Sequence, residues 1–546
     1  MDVNLKNPEL FSCIEKTASS PEFREELADL LVSLCEVDTV PGEDIAAAGD
    51  AERRAFDILE DYIRGNGLSG EAAVSPIDSR IYEHKYFTPL YYTDSKRPYH
   101  GRGNLIYRFY PKTDTESPGI ALNAHIDTVA PYFPPFRRDG KVFGRGAGDD
   151  KGSCAAIAGC LKLLEIVRKK YGLDFSSEIL AAFVIDEETG GNGSLSLALD
   201  SALFEHIGTM IVVESFDQQI YPANRGALWY NIEVDAQKTK DPLRMMVEII
   251  KSLEDNGRRL KEKGAHPLFP DRPLHTCQGM LGSFGEHPSR ICPSIRVRIN
   301  SGLGLSRIIS LINGGLERYI SLYGDRTRES GDAGGKPKLD KHYDLSETGS
   351  GFLLSVRGNS GHMGSSDIYD NAITKMAYMI DALMAGDDTQ ILLDEKAGGD
   401  RLILEGGQGF VPPMMVDDIR KTLLAALKSA AAAYNTVASD GAPEPRLSTE
   451  KLHNEAFERD PNSRAVQKAL RLAEMMGFQE SRSVRGAPVS CDARIFAHQY
   501  PEMDLFTTGP GHLAEAHRDN EKIEEDELAK GAAYLALYVL DHQGIL

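Results

Sequence analysis

The order of apolar stretches predicts an α/β protein: a split domain with a mainly parallel sheet flanked by helices, interrupted by an inserted α+β domain made of two similar halves. Three observations carry this. Over residues 1–224, helical periodicity alternates with short apolar runs that end in polar residues, the pattern of buried strands whose ends gather ligands. The same alternation returns over 449–546. Between them, 225–448 repeats the order strand, helix, strand, helix.

In the first part, residues 23–35 and 51–65 carry apolar side chains at helical spacing, whereas 119–124, 179–185 and 209–213 are short apolar runs. A long helix over 153–169 separates two of these strands. The last part supplies a helix at 463–476, a strand at 503–508 and a closing amphipathic helix at 526–540. Within the insertion, one half, about 225–325, reads strand 227–234, helix 242–260, strand 294–299 and helix 305–323. The other, about 348–440, reads strand 351–357, helix 371–385, strand 401–405 and helix 416–434. The Gly-, Asp- and Lys-rich stretch 324–347 between them reads as a linker or surface loop.

The chain has 546 residues, which at roughly 100 to 200 residues per domain gives two to four domains. With 41% hydrophobic and 26% charged residues, wholesale disorder is excluded. Against 61 Lys and Arg stand 82 Asp and Glu, a formal charge of −21 that repels phosphate backbones and anionic lipid. Nucleic acid and membrane surfaces are therefore poor partners, and a small-molecule substrate is favoured. No apolar run approaches the roughly 18 residues of a membrane span. The N-terminus has no basic region followed by an apolar one, so a cytoplasmic location is expected. Seven scattered cysteines with no CxxC argue against a disulfide framework or a thiolate zinc site.

Four motifs carry chemistry. In Asn123-Ala-His125-Ile-Asp127, residues i and i+2 of an extended end point the same way, so Asp127 can hydrogen-bond one ring nitrogen of His125 and leave the other for a metal. The same pattern suits an ordinary hydrogen-bonded pair. Gly144-Arg-Gly-Ala-Gly-Asp149-Asp150-Lys-Gly152 opens the long helix; adjacent carboxylates at a Gly-rich turn suit a divalent cation, although one of them can simply cap the helix. Asp186-Glu187-Glu188-Thr-Gly190 follows an apolar strand, where acids must be solvated or near a cation. Glu214 follows another strand. The segment 509–521 holds two histidines, His512 and His517, with several acids. Nitrogen and oxygen donors at strand ends suit zinc, cobalt or manganese.

With these residues in view, the chain resembles the di-zinc aminoacylase, carboxypeptidase and dipeptidase family of metallohydrolases, which includes succinyl-diaminopimelate desuccinylase. AHIDTV, FGRGAGDDKG, DEETGG, VVES, GHMGSSDIYDNAI, SCDARIF and GPGHLAEAHRDNE occur in the family's order. The resemblance makes the split domain catalytic and the insertion a lid. It implies two Zn2+ per chain, with Co2+ or Mn2+ as alternatives. His125 and Glu214 would be terminal ligands of one ion, Glu188 and His517 of the other, with Asp149 bridging. Asp127 would orient His125, Glu187 would be the general base, and the lid histidine His362 would stabilise the oxyanion. Arg494 resembles a substrate-binding arginine, with a structural pairing to Asp492 as the alternative. Relatives hold the peptide after the bridging aspartate in the cis form, so a cis Asp149–Asp150 bond is expected. On the last lid strand the family's Asp-x-Arg pattern is missing: 294–300 reads SIRVRIN and 401–407 reads RLILEGG.

The implied activity is hydrolysis of the amide bond of small dipeptides by a metal-bridging water with Glu187 as base. The dipeptidase is preferred because the doubled lid resembles that of monomeric dipeptidases in which one chain imitates a dimer. The rivals are an N-acyl amino acid deacylase, aminoacylase- or desuccinylase-like, and a catalytically silent binding relative. Filled ligand positions speak against the last. A monomer with a pseudo-dimeric lid is expected, with His362 in the same chain as Glu187.

Overall fold

A computed structural model describes residues 5–90, 92–111, 117–286, 288, 290–327, 339–359, 361, 370–384, 389–394, 399–438, 441–449, 453–478 and 483–546. The chain forms two compact units, residues 1–224 with 457–546, and residues 225–456.

The first unit is built on a six-stranded sheet in the order Glu71–Pro76, Gly103–Phe109, Ile179–Val184, Gly119–His125, Ile207–Val213, Asp504–Thr508. The last four strands pair in parallel, the first two antiparallel. Strands Gly119–His125 and Ile179–Val184 are buried along their whole length, which explains their unbroken apolar runs. The chain leaves Gly119–His125, adds Ile179–Val184 on one side and then Ile207–Val213 on the other, so the strand order reverses beside His125. Such a switch opens a crevice beyond the carboxyl ends of the strands.

Helices Lys151–Tyr171 and Glu525–His542 pack on one another, and Pro21–Cys35 packs on both. At Gly159 the helices approach closely: a Cβ there would stand 3.0 Å from both Ala532 Cβ and Leu27 Cδ1. Two strands that the sequence did not announce, Glu71–Pro76 and Gly103–Phe109, close one side of the sheet. All seven cysteines are free, six of them buried. Among the described residues no helix is long and apolar enough to cross a membrane.

The second unit pairs its elements differently from the two consecutive halves read from the sequence. Strand Gly226–Asp235, helix Pro242–Lys263, strand Thr276–Leu281, strand Arg401–Phe410, helix Val416–Ala438 and strand Arg446–Ser448 form one βαββαβ motif. Its sheet runs Thr276–Leu281, Arg401–Phe410, Gly226–Asp235, Arg446–Ser448, all antiparallel. Inserted between Leu281 and Arg401 is a second βαββαβ motif: Ser294–Ser301, Leu305–Tyr323, Tyr343–Thr348, Gly351–Arg357, Ala372–Met384 and Thr389–Leu393. Its antiparallel sheet has the same relative order, Tyr343–Thr348, Gly351–Arg357, Ser294–Ser301, Thr389–Leu393.

The insertion is doubled, but its copies are nested and each keeps its own sheet edges. Gly351–Arg357 is therefore a third strand, not the start of a second copy, and Tyr343–Thr348 occupies the end of the stretch read as a loop. The copies meet through helices, Pro242–Lys263 against Ala372–Met384, where Lys251 Nζ lies 2.8 Å from Asp381 Oδ1 and Thr374 donates to Glu254 at 2.9 Å.

One buried ion network ties the first unit's sheet to its strand-end loops. The Arg102 guanidinium, just before Gly103–Phe109, pairs with Glu52 of helix Ile45–Asn66 and donates to Asp186 Oδ1 at 2.8 Å. All three side chains are at least nine-tenths buried. Removing the cation would strand two buried carboxylates, a change that costs about 3–5 kcal/mol in comparable sites. Arg102→Met should therefore lose roughly that stability in urea unfolding; a loss below about 1 kcal/mol would show the network to be dispensable.

Candidate metal centre

Every site motif of the first unit sits at the carboxyl end of a parallel strand or at the start of the long helix. His125 is the last residue of Gly119–His125, Glu187 and Glu188 follow Ile179–Val184, Glu214 follows Ile207–Val213, and His517 lies in the loop after Asp504–Thr508. Parallel pairing sets His125 beside Val184 and Asn123 beside Val212. The peptide joining Asp149 to Asp150 is cis, as expected.

Asp149 stands at the centre. Its Oδ1 lies 3.2 Å from His125 Nε2 and its Oδ2 lies 3.2 Å from His517 Nε2. His517 Nε2 is also 2.9 Å from Glu188 Oε1. Of the two histidines in segment 509–521, it is His517, the one that the resemblance implied, that joins this cluster. His512 instead pairs with Asp217 and lies 3.7 Å from Glu527, in a separate, more exposed group. Glu214, His125 and Asp150 bring one donor atom each to within 4.8 Å of one another. Asp150 makes no side-chain cap to the helix it precedes; its Oδ2 accepts the His125 N–H at 3.2 Å and its buried Oδ1 has no partner.

Asp127 does more than face His125, whose Nδ1 lies 3.4 Å from its Oδ1. Its two oxygens accept the backbone N–H groups of Glu187, at 3.1 Å, and Glu188, at 3.0 Å. One carboxylate therefore fixes an imidazole and the peptide that bears two acids. Asp186, in the left-handed region at φ 61°, is held by Arg102 and by the Tyr92 hydroxyl at 3.1 Å. Gly190 and Gly191 complete this turn with φ of 129° and 79°, and a Cβ on Gly191 would fall 2.4 Å from Asp492 Oδ1.

Arg494 is almost wholly buried. It donates to the Gly190 carbonyl at 2.9 Å and the Cys491 carbonyl at 2.8 Å, with Asp492 Oδ1 3.7 Å away. His362 lies outside the described residues.

Charge taken out of water governs the electrostatics. Burial pushes Glu187, Glu214 and Asp150 well above the usual carboxylate range; Asp492 adds to the rise at Glu187, Asp150 to that at Glu214 and Asp149 to that at Asp150. Burial would do the same to Asp149, but His125 and His517 hold it well below that range. For both histidines burial favours the neutral ring, yet Asp127 and Asp149 at His125, and Glu188 and Asp149 at His517, hold them above the usual imidazole value.

Two imidazoles and five carboxylates, one of them with an orphaned buried oxygen, fit a pair of divalent cations. Their positive charge would compensate the acids, and an imidazole and carboxylate donor set suits zinc, cobalt or manganese. Glu521 and Arg102 are groups to which the motifs gave no role; Glu521 closes the acid-bearing segment 509–521, and that was the available signal.

A profile of Peptidase family M20/M25/M40 matches residues 121–541. A probable carboxypeptidase of Emericella nidulans is 30% identical over 161 residues, 26% of this chain and 37% of that protein. A probable succinyl-diaminopimelate desuccinylase of Staphylococcus aureus is 24% identical over 210 residues, 36% of this chain and 50% of that protein. The chain thus spans half or less of the length of these relatives. Among solved structures, the Saccharomyces cerevisiae di-peptidase Dug1p aligns at a TM-score of 0.56 with 12% identity, covering 99% of each chain. Human carnosine dipeptidase 1 aligns at 0.54 with 14% identity, covering 98% of this chain and 99% of that one. At such identities these two show a shared fold.

If Asp127 organises the centre, Asp127→Ala should weaken Zn2+ binding about 10- to 100-fold in competition with a chromophoric chelator. Unchanged affinity in the folded variant would remove Asp127 from that role.

Proposed function

The chain belongs to the M20/M25/M40 peptidase family, and from that premise we propose that it is a dinuclear zinc hydrolase of the amide bond in small dipeptides. The observation that carries this reading is Asp149, whose two oxygens each face a different histidine at 3.2 Å. A carboxylate so placed is suited to bridging two cations. In this reading His125 and Glu214 serve one cation, His517 and Glu188 the other, and Asp150 adds negative charge beside the first. Cobalt and manganese are compatible with the same donors.

When bound, the cations supply Lewis acidity that polarises the substrate carbonyl and lowers the pKa of water. The rest falls to the chain's own groups. Glu187, whose carboxyl burial and the neighbouring Asp492 raise above its ordinary value, takes a proton from the attacking water and returns it to the leaving nitrogen. Asp127 keeps Glu187 and Glu188 in place through their N–H groups. Arg494, tied to the Gly190 carbonyl, braces the turn beneath these acids; the alternative role, contact with substrate, remains a part of the resemblance. His362 keeps its proposed role at the oxyanion on the strength of the GHMG motif alone.

A dipeptide substrate is favoured over an N-acyl amino acid by the doubled insertion, whose second βαββαβ motif supports reading the chain as a monomer that imitates a dimer. The seven free cysteines suit a reducing, cytoplasmic setting. Protein stripped by chelator and reloaded with Zn2+, Co2+ or Mn2+ should release free amine from dipeptides. Release from N-acyl amino acids alone would favour the deacylase, and release from neither would favour the silent relative.

Glu187→Gln should retain near-normal metal content and lose about 10²- to 10⁴-fold in turnover. Substantial turnover by the metal-replete variant would remove Glu187 as base. Activity per chain should stay constant on dilution while sedimentation reports one species of monomer mass; loss of activity as a dimer dissociates would overturn the monomer.

A further inference from the structure

Glu521 is fully buried, four residues beyond His517, and its surroundings are specific. Strand Lys522–Glu524 pairs antiparallel with Lys141–Phe143, in the register Lys522 to Phe143, and the Gly144 N–H donates to the Glu521 carbonyl at 3.1 Å. This pairing fixes the Glu521 backbone opposite the start of the Gly-rich turn. The side chain then reaches the turn's end: Oε1 accepts the N–H groups of both Gly148 and Asp149 at 2.9 Å. Oε2 meets Arg145 Nη1 at 2.7 Å, and Arg145 Nε donates to the Pro131 carbonyl at 3.1 Å.

We propose that Glu521 is a positioning residue for the metal centre: it clamps the Gly148 and Asp149 amides so that the Asp149 carboxylate is aimed between His125 and His517. The inference rests on the metal reading above. A buried acceptor for two adjacent N–H groups fixes the peptide that carries Asp149, and the side chain's direction follows from that peptide. The same loop delivers His517, so one segment sets both His517 and the carboxylate it faces. Arg145 neutralises the buried acid, and its partner's second oxygen remains free for the two amides.

The test compares wild type with E521A, E521Q and the double variant R145M/E521M, which removes the buried cation together with its partner. Three readouts are taken on chelator-stripped protein: melting without metal, Zn2+ affinity by competition with a chromophoric chelator, and the visible absorption of bound Co2+, which reports its coordination. E521A and R145M/E521M are expected to bind Zn2+ about 10- to 100-fold more weakly, with an altered Co2+ spectrum, and E521Q, which keeps an acceptor oxygen of the same reach, to recover part of the loss. Wild-type affinity and spectrum in a folded E521A or R145M/E521M overturn the proposal. Equal loss in E521A and E521Q does so too, as does failure of every variant to fold without metal, which would assign Glu521 to the fold. If wild type itself binds no Zn2+, the metal reading fails; if it binds and the variants match it, only the role of Glu521 fails.

Discussion

Negative charge held away from water is the constraint around which the first unit is organised. Asp149, Asp150, Glu187, Glu188 and Glu214 come together beyond the carboxyl ends of the parallel strands of one mixed sheet, and burial drives Asp150, Glu187 and Glu214 toward their protonated forms. Two histidines offset only part of this charge. A hydrophobic fold of ordinary composition would not accumulate such a cluster without something to balance it, and the proposed cation pair supplies that balance.

The sheet makes the cluster geometrically available. Parallel strands end on the same side, and the reversal of strand order beside His125 opens space there. Yet strand ends alone leave loops, and loops need fixing. The structure fixes them with other buried polar groups: Asp127 under the Glu187 and Glu188 peptides, Arg102 under Asp186, Arg494 under Gly190. Each has its hydrogen-bonding capacity turned toward backbone or toward an opposite charge, as buried polar groups require. This edge of the sheet is therefore a layer of acids resting on a second layer of paired charges and amides.

The second unit shows how similar order can hide a different topology. Two βα pairs followed by two more can be joined in tandem or nested, and the succession of apolar runs is alike in either case. What separates them is which strand pairs with which. Thr276–Leu281 and Arg446–Ser448 in one sheet, and Tyr343–Thr348 and Thr389–Leu393 in the other, have no strong alternation to announce them, yet they flank the inner strands of each sheet. Without those four, Gly351–Arg357 reads as a beginning, although it pairs with Ser294–Ser301 as an inner strand.

By itself the sequence determined the α/β class and most of the long helices and buried strands through local periodicity, and it pointed to the acids and histidines of the cluster through short motifs and their resemblance to a known family. Tertiary structure decided the rest. It placed His517 beside Asp149 and His512 beside Asp217, a choice that the residues of segment 509–521 leave open and the resemblance made for His517. It brought in Glu521, Arg145 and Arg102, whose partners are distant in sequence, and it nested the two halves of the insertion. Local pattern reports how a segment exposes its own side chains; hydrogen bonds and ion pairs between segments depend on strand pairing and loop placement, which exist only once the whole unit has folded.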